Sequence, residues 1–475
     1  MYVLMILLPG ICKKEINVME KYKFDDLKYL EIPLPEELLK LKWYGSFERM
    51  NKVIKAKLAK DIPLALKKRL IHELEIIRRM PSEYPVSYQE ALKICHDNFI
   101  DFKDEELELL QDENAVEWIF IEGKACFRSD FFDNILKTRN DYVERLKDLS
   151  KVESRENNFA LLNNAIYEIK EKGKLTYHFH LKTGIKIKTL ASDKKIKVHL
   201  PLPLENCQVK KFKLLKTIPQ YKYLSSGDHP QRTIYFEENI NDVKEFYVEY
   251  EYDNVIEYQE LDPVKVLEHQ PNFYLHEQAP HIIFTPYLKS LAKEIIKDET
   301  NNLVKAKLIY EYITTHITYS FVRNYYTIPN IPEYAALGGK GDCGVQALLF
   351  ITLCRYVGIP ARWQAGLYVT PYDIGNHDWA RFYVAPYGWL YADCSFGGAA
   401  YRNSDFERWQ YYFGHLDPFR MPANSEYQFD LYPPKKYLRQ DPYDNQTGEA
   451  EFEDRGLYLD DYDLHLEVVD IKKEI

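Results

Sequence analysis

The stretch Gly341-Asp342-Cys343-Gly344, running on into Val345-Gln346-Ala347-Leu348-Leu349-Phe350-Ile351-Thr352-Leu353-Cys354-Arg355-Tyr356, sets the fold and the chemistry of this chain. A short loop bearing glycines presents one cysteine, and an almost wholly apolar helix follows. Cys343 is therefore placed at a predicted helix N-terminus, where unpaired backbone N–H groups and the helix dipole favour negative charge. A thiol there is expected to have a lowered pKa and to supply thiolate, the form that attacks carbonyl carbon. Gly341 and Gly344 are expected to leave room for a substrate at the sulfur. The competing reading is a small buried cysteine at a helix start.

Two downstream stretches favour the reactive reading. His377 stands in Gly375-Asn376-His377-Asp378-Trp379-Ala380-Arg381-Phe382-Tyr383-Val384, and Asp393 in Tyr387-Gly388-Trp389-Leu390-Tyr391-Ala392-Asp393-Cys394. Cys343 and His377 are 34 residues apart, and Asp393 lies 16 beyond His377. Gly358-Ile359-Pro360 ends the helix. Trp363 to Val369 reads as a strand, His377 opens a second, and Ala385-Pro386-Tyr387-Gly388 reads as a hairpin turn into a third that Asp393 ends. Paired antiparallel strands lie about 5 Å apart, so His377 and Asp393 become neighbours with the Cys343 helix packed across them. That order supplies a nucleophile, a base and a group to orient the base.

At these residues the chain resembles the transglutaminase-like superfamily, whose core is related to papain-type thiol enzymes. The resemblance rests on the Gly-Asp-Cys-Gly loop, the apolar helix ending in Arg355-x-x-Gly358-Ile359-Pro360-Ala361-Arg362, the His377-x-Trp379 strand, and the Gly388-Trp389…Asp393 strand. Each motif alone is weak; the ordered set is specific. It covers roughly 60 residues, with a weaker fit from Thr285 onward. Cys394 departs from the proline that many relatives carry after the aspartate. The resemblance implies a Cys343-His377-Asp393 triad, with Asp342, Gly344, Tyr319 and Trp379 bordering the cleft. The backbone N–H of Cys343 gives one oxyanion donor, and Tyr319 is the candidate for a second. Trp379 has an equal claim to be hairpin core.

The length of 475 residues allows two to four domains. A net charge of −10 argues against a nucleic-acid partner, because phosphate contacts need a clustered basic face. The seven cysteines are scattered without paired spacing, which fits free thiols in a reducing compartment and a cytoplasmic location. No C-x-x-C, H-E-x-x-H or calcium-loop pattern occurs, so no metal and no cofactor is expected. The apolar run Met1–Cys12 is too short to span a bilayer. It reads as an upstream start ahead of Met19, or as a poor signal anchor. No stable membrane span is expected elsewhere.

The expected fold class is multidomain α+β. Residues 20–170 read as mainly helical, with a break at Pro63 and a short hairpin over Glu117–Phe127. This region has no evident chemistry; it is expected to cap the cleft or to bind a partner. Residues 171–262 alternate with period two and read as a β-sandwich. They resemble the immunoglobulin-like domain that often precedes a bacterial transglutaminase-like core, through Leu200-Pro201-Leu202-Pro203 and Glu245–Tyr250. Pro201 and Pro203 are expected to mark an edge strand. His178 and His180 share one strand face but lack further metal ligands, so they read as strand-surface residues. Residues 263–400 form the catalytic core, with Asn324–Gly339 as a loop beside the cleft. Residues 401–475 read as an aromatic and acidic extension packed on that core. His415 and Asp417 resemble a second catalytic pair but are not needed for the triad.

The functional expectation is a thiol enzyme acting on peptide or protein amides through a thioester. Hydrolysis is placed ahead of transfer to an amine. The rivals are a catalytically silent binding module and a sugar-binding accessory protein. The latter needs tryptophans on the sandwich, and none of the six falls between 171 and 262.

Overall fold

The computed structural model describes residues 24–148, 153–188, 195–205, 207–239 and 244–474. The expectations for Met1–Cys12, Met19 and the Ser192-Asp193 turn lie outside these residues.

The helical region follows its punctuation. Pro63 cannot continue a helix, so Phe47–Leu58 stops before it and Leu64–Glu83 starts after it. Ser87 and Glu90 close a capping box on Tyr88–Asn98. Trp118–Ile121 and Lys124–Phe127 form the hairpin, with Val86–Ser87 along its edge. A final long helix, Glu153–Lys172, leads to the sheets. The region is not one packing unit. Residues from Ala91 to Leu146 close a small core of their own, whereas Leu27 to Met80 and Leu162 to Ile169 join the main core of the chain.

The alternating stretches build two four-stranded antiparallel sheets. One runs Tyr462–Lys473, Lys174–Ile187, Glu245–Glu257, Val209–Ile218; the other runs Glu449–Phe452, Lys195–Pro201, Thr233–Asn239, Tyr223–Leu224. Phe179, Leu181, Val248, Tyr250 and Tyr252 are buried between strands and sheets, with the Phe179 and Tyr252 rings stacked at 5.0 Å. One expectation changes here. The strand ending at Pro201 is interior, not an edge: Pro201 opposes Thr233, and the neighbour on the other side reaches only His199. Proline costs nothing there because it sits two residues beyond His199, past the end of the ladder that would need its N–H. His178 and His180 lie partly exposed on the strand surface, as expected, but are not unpartnered. They pair across the strand with Asp253 and Glu249, each at 2.8 Å.

The remaining sheet carries the site. Its antiparallel order is Phe413–Gly414, Gly388–Ala392, Ile374–Val384, Ala361–Val369, Arg420–Asn424. Helices Pro286–Ile296, Asn302–His316 and Cys343–Tyr356 accompany it, and the last packs on Ile374–Val384. That helix is buried from Cys343 to Arg355, as its unbroken apolar run requires. The expected loop Asn324–Gly339 is instead a single turn, Tyr325–Thr327, and a helix, Ile331–Gly338, started by the Asn330 side chain on the Glu333 N–H. The 401–475 segment is not an appendage on one core. It lends strands to all three large sheets, because its short irregular runs find partners only in tertiary contact.

Candidate active site

The Asp342 carboxylate caps the Cys343 helix by accepting from the Val345 N–H at 3.1 Å. It also accepts from the Tyr325 hydroxyl at 2.5 Å. Burial pushes this carboxyl up to about 6 despite both hydrogen bonds. Gly341 and Gly344 do not make a substrate passage. A Cβ at Gly341 would strike Val345 at 2.2 Å; one at Gly344 would meet the Tyr325 hydroxyl at 2.2 Å and the Asp378 carboxylate at 2.7 Å. Glycine is required at both positions by close packing.

His377 lies in the Ile374–Val384 strand, opposite Gly366, and the hairpin to Gly388–Ala392 delivers Asp393 to it. His377 Nε2 meets Asp393 Oδ2 at 2.7 Å. The carboxylate accepts, so Nε2 carries the proton and Nδ1 is the basic nitrogen of the neutral ring. Burial holds His377 below its usual pKa; Asp393 opposes this and Arg420 adds to it. Burial alone would raise Asp393, but His377 and Arg420 hold it below the usual carboxylate range. Asp393 also caps the next helix, Cys394–Arg402, through the Phe396 N–H.

The thiol of Cys343 has a different partner from the one expected. It donates to Asp378 Oδ2 at 3.3 Å, one residue along the strand from His377. Burial, then the nearby Asp378 and Asp342 carboxylates, push the thiol well above its ordinary range. The expected lowering by the helix N-terminus is overridden, since a dipole effect worth about 0.3–1 kcal/mol at exposed sites cannot offset desolvation beside two acids. Asp378 itself is pushed up to about 8, first by burial and then by Asp342. Gln446 holds it from the other side, with Nε2 donating to Asp378 Oδ1 at 2.6 Å and to the His377 carbonyl at 3.1 Å.

Trp379 is fully buried, donates Nε1–H to Gln364 at 2.7 Å and stands 5.8 Å from the His377 ring. It supports the histidine from within the sheet and is not a cleft wall. Tyr319 pairs beside Gly341 on a short parallel bridge, and burial, then Cys343 and Asp342, keep its hydroxyl protonated. Tyr319 and His377 both line a cavity of about 330 Å³. His415 and Asp417 do not meet: His415 bonds the Gln259 carbonyl, and Asp417 bonds Arg420 and Tyr412. Cys354 and Cys394 are buried. Among the described residues no cluster of three His, Cys, Asp or Glu side chains could hold a metal ion.

Four residues of the site have no role in the sequence reading. Asp378 was visible inside the histidine motif, but only the folded strand sets it against the thiol. Tyr325 and Gln446 come from stretches without regular period. Arg420 is fully buried and bridges Asp393 at 3.0 Å and Asp417 at 2.7 Å.

Residues 289–394 match the sequence profile of the transglutaminase-like superfamily core. The chain carries a transglutaminase-like domain. The matched span holds Cys343, His377 and Asp393 and ends just beyond the last. No curated protein matches this chain significantly. Among solved structures, the domain and its surroundings are similar to a candidate cysteine protease from Cytophaga hutchinsonii, at 16% identity and a TM-score of 0.40, covering 62% of this chain and 91% of that one. The periplasmic domain of TgpA from Pseudomonas aeruginosa aligns at 12% identity and a TM-score of 0.28, covering 52% and 95%. Among the described residues no helix is long and apolar enough to cross a membrane.

Proposed function

We propose that this protein is a thiol enzyme acting on peptide or protein amides, with Cys343 as nucleophile, His377 as base and Asp393 as the group that orients it. The contact that supports this most is the 2.7 Å His377–Asp393 pair beside the Cys343 helix N-terminus. In the resting arrangement the thiol points to Asp378. The reaction requires the sulfur to leave Asp378 and reach Nδ1 of His377, which takes the proton. Sulfur then bonds to the amide carbon, and the carbonyl oxygen gains charge. The backbone N–H of Cys343 and the Tyr319 hydroxyl receive that charge. His377 returns the proton to the leaving nitrogen as the C–N bond breaks. Water or an amine attacks the thioester, releasing an acid or a new amide and restoring the thiol.

Water is the favoured acceptor. Asn140, Asn158, Asn376 and Asn403 give the cavity at His377 polar groups able to seat a water beside its apolar walls of Phe159, Leu162 and Phe396. The free described cysteines accord with a reducing, cytoplasmic setting. The Cys343–Asp378 contact favours a second reading, a silent binding module that retains the fold.

One assay separates these readings. Ammonia release and amine incorporation are measured on glutamine-containing peptides. The enzyme reading expects turnover that C343A abolishes and that H377A lowers by roughly a hundredfold or more. Turnover equal in C343A and wild type, or none on any amide, contradicts it.

A further inference from the structure

The cavity shared by His377 and Tyr319 has an uneven charge. Its wall carries Arg402, Lys137 and Arg408 against one acid, Asp373. Arg408 is occupied, donating to the Phe159 carbonyl and Asn163 and pairing with Asp405 at 3.4 Å. The Lys137 ammonium stands 5.9 Å above the Tyr319 ring. Arg402 differs from both. It ends the helix Cys394–Arg402 that Asp393 begins, and its guanidinium folds back against that helix. A Cβ at Gly398 would come within 3.2 Å of Arg402 Nη1, so the glycine makes a seat for the cation. Among the described residues Arg402 has no acid partner, and burial alone lowers its pKa.

A half-buried guanidinium without a counter-ion forfeits hydration and gains no pairing. A basic residue in a last helical turn also complements the helix dipole, but that role does not place it on a cavity wall shared with the candidate base. A guanidinium offers paired N–H donors that match a carboxylate. Of the cavity's lining residues only Asp373 is acidic, and it makes no ion pair with Arg402; Asn140, Asn376 and Asn403 are neutral. We propose that Arg402 receives a carboxylate of the substrate, so that the enzyme acts on amides within acidic peptides. This rests on the thiol-enzyme reading above and names its substrate class. The carboxylate is either an acidic side chain or a free peptide C-terminus.

Binding to full-length C343A, which cannot turn over, tests the site apart from the chemistry. Three glutaminyl peptides serve as probes: one with a neighbouring glutamate and an amidated end, one neutral with a free C-terminal carboxylate, and one neutral with an amidated end. One of the two acidic peptides is expected to bind about tenfold or more tighter than the neutral amide. R402M in the C343A background removes the difference, and R402K restores part of it. R402Q replaces R402M should the latter not fold. Equal binding of all three peptides, including no binding, overturns the proposal, as does a preference that survives R402M. Turnover assays with unmutated Cys343 separate the two readings. Turnover without an acidic preference sinks the Arg402 proposal alone. An Arg402-dependent preference without turnover of any peptide sinks the thiol-enzyme reading alone.

Discussion

Cys343 is held between two effects of opposite sign. The helix N-terminus favours its thiolate, while burial, and after it Asp378 and Asp342, favours its thiol, and burial dominates in the resting structure. The same burial makes Asp378 a stability switch. Its carboxyl rises from an ordinary 3.8 to about 8 in the folded chain. The folded state therefore binds more protons than the unfolded state across that interval, and its contribution to stability is lost as pH rises through it. D378N is expected to flatten the fall in stability from about pH 4 to about pH 8, measured by urea unfolding across that range. An unchanged slope would show that Asp378 titrates normally. At this scale Cys343, His377 and Asp393 were legible in the sequence, because a helix start and a hairpin place them by local rules. The thiol's partner was not, since His377 and Asp378 are adjacent in a strand and only tertiary packing decides which one meets the sulfur.

The strand Arg420–Asn424 links the site to the C-terminal segment. Arg420 lies between Asp393 and Asp417 with no exposure, among the rings of Phe396, Tyr368, Trp379 and Tyr412. Removing the cation leaves two buried carboxylates facing each other. R420M is expected to destabilise the protein by about 3–5 kcal/mol, read as a fall in the urea midpoint. A loss below about 1 kcal/mol, the range of an exposed pair, would contradict the placement. Helices and hairpins with strong punctuation were readable, as at Pro63 and the Ala385–Gly388 turn. Arg420–Asn424 was not, because five buried residues in succession show neither a period of two nor of 3.6. The helix Ile331–Gly338 was hidden by its shortness and its flanking prolines and glycines.

Across the whole molecule, the chain returns on itself. Tyr462–Lys473 pairs with Lys174–Ile187 along nearly its full length, and Glu449–Phe452 pairs with Lys195–Pro201. The two sheets that alternation predicts in residues 171–262 are thus completed from the C-terminus. A chain ending at residue 452 lacks the first of these strands and leaves Lys174–Ile187 as an open edge. Hydrogen exchange is expected to accelerate in Lys174–Ile187 and to leave the Cys343 helix protected. Equal protection of Lys174–Ile187 with and without the tail would show that the pairing adds nothing. Sequence patterning located the sandwich but not its closing strands, since pairings between distant segments carry no local signature. The helical region was expected to cap the cleft or bind a partner, but which of its residues would do so was not readable. Lys137, Asn140, Phe159 and Leu162 form the far wall of the cavity at His377, so this region does border the cleft.

The central claim is that Cys343 works with His377 and is restrained by Asp378. The direct measurement is the rate of iodoacetamide alkylation at Cys343 at about pH 9, where Asp378 is ionised, followed by peptide mass spectrometry in wild type, H377A and D378N. The account predicts opposite signs. H377A slows Cys343 because its proton acceptor is gone; D378N speeds it, by roughly tenfold for each pKa unit by which the thiol drops. The buried Cys354 and Cys394 stay unreacted in all three. A Cys343 rate unmoved by H377A, or slowed by D378N, contradicts the account.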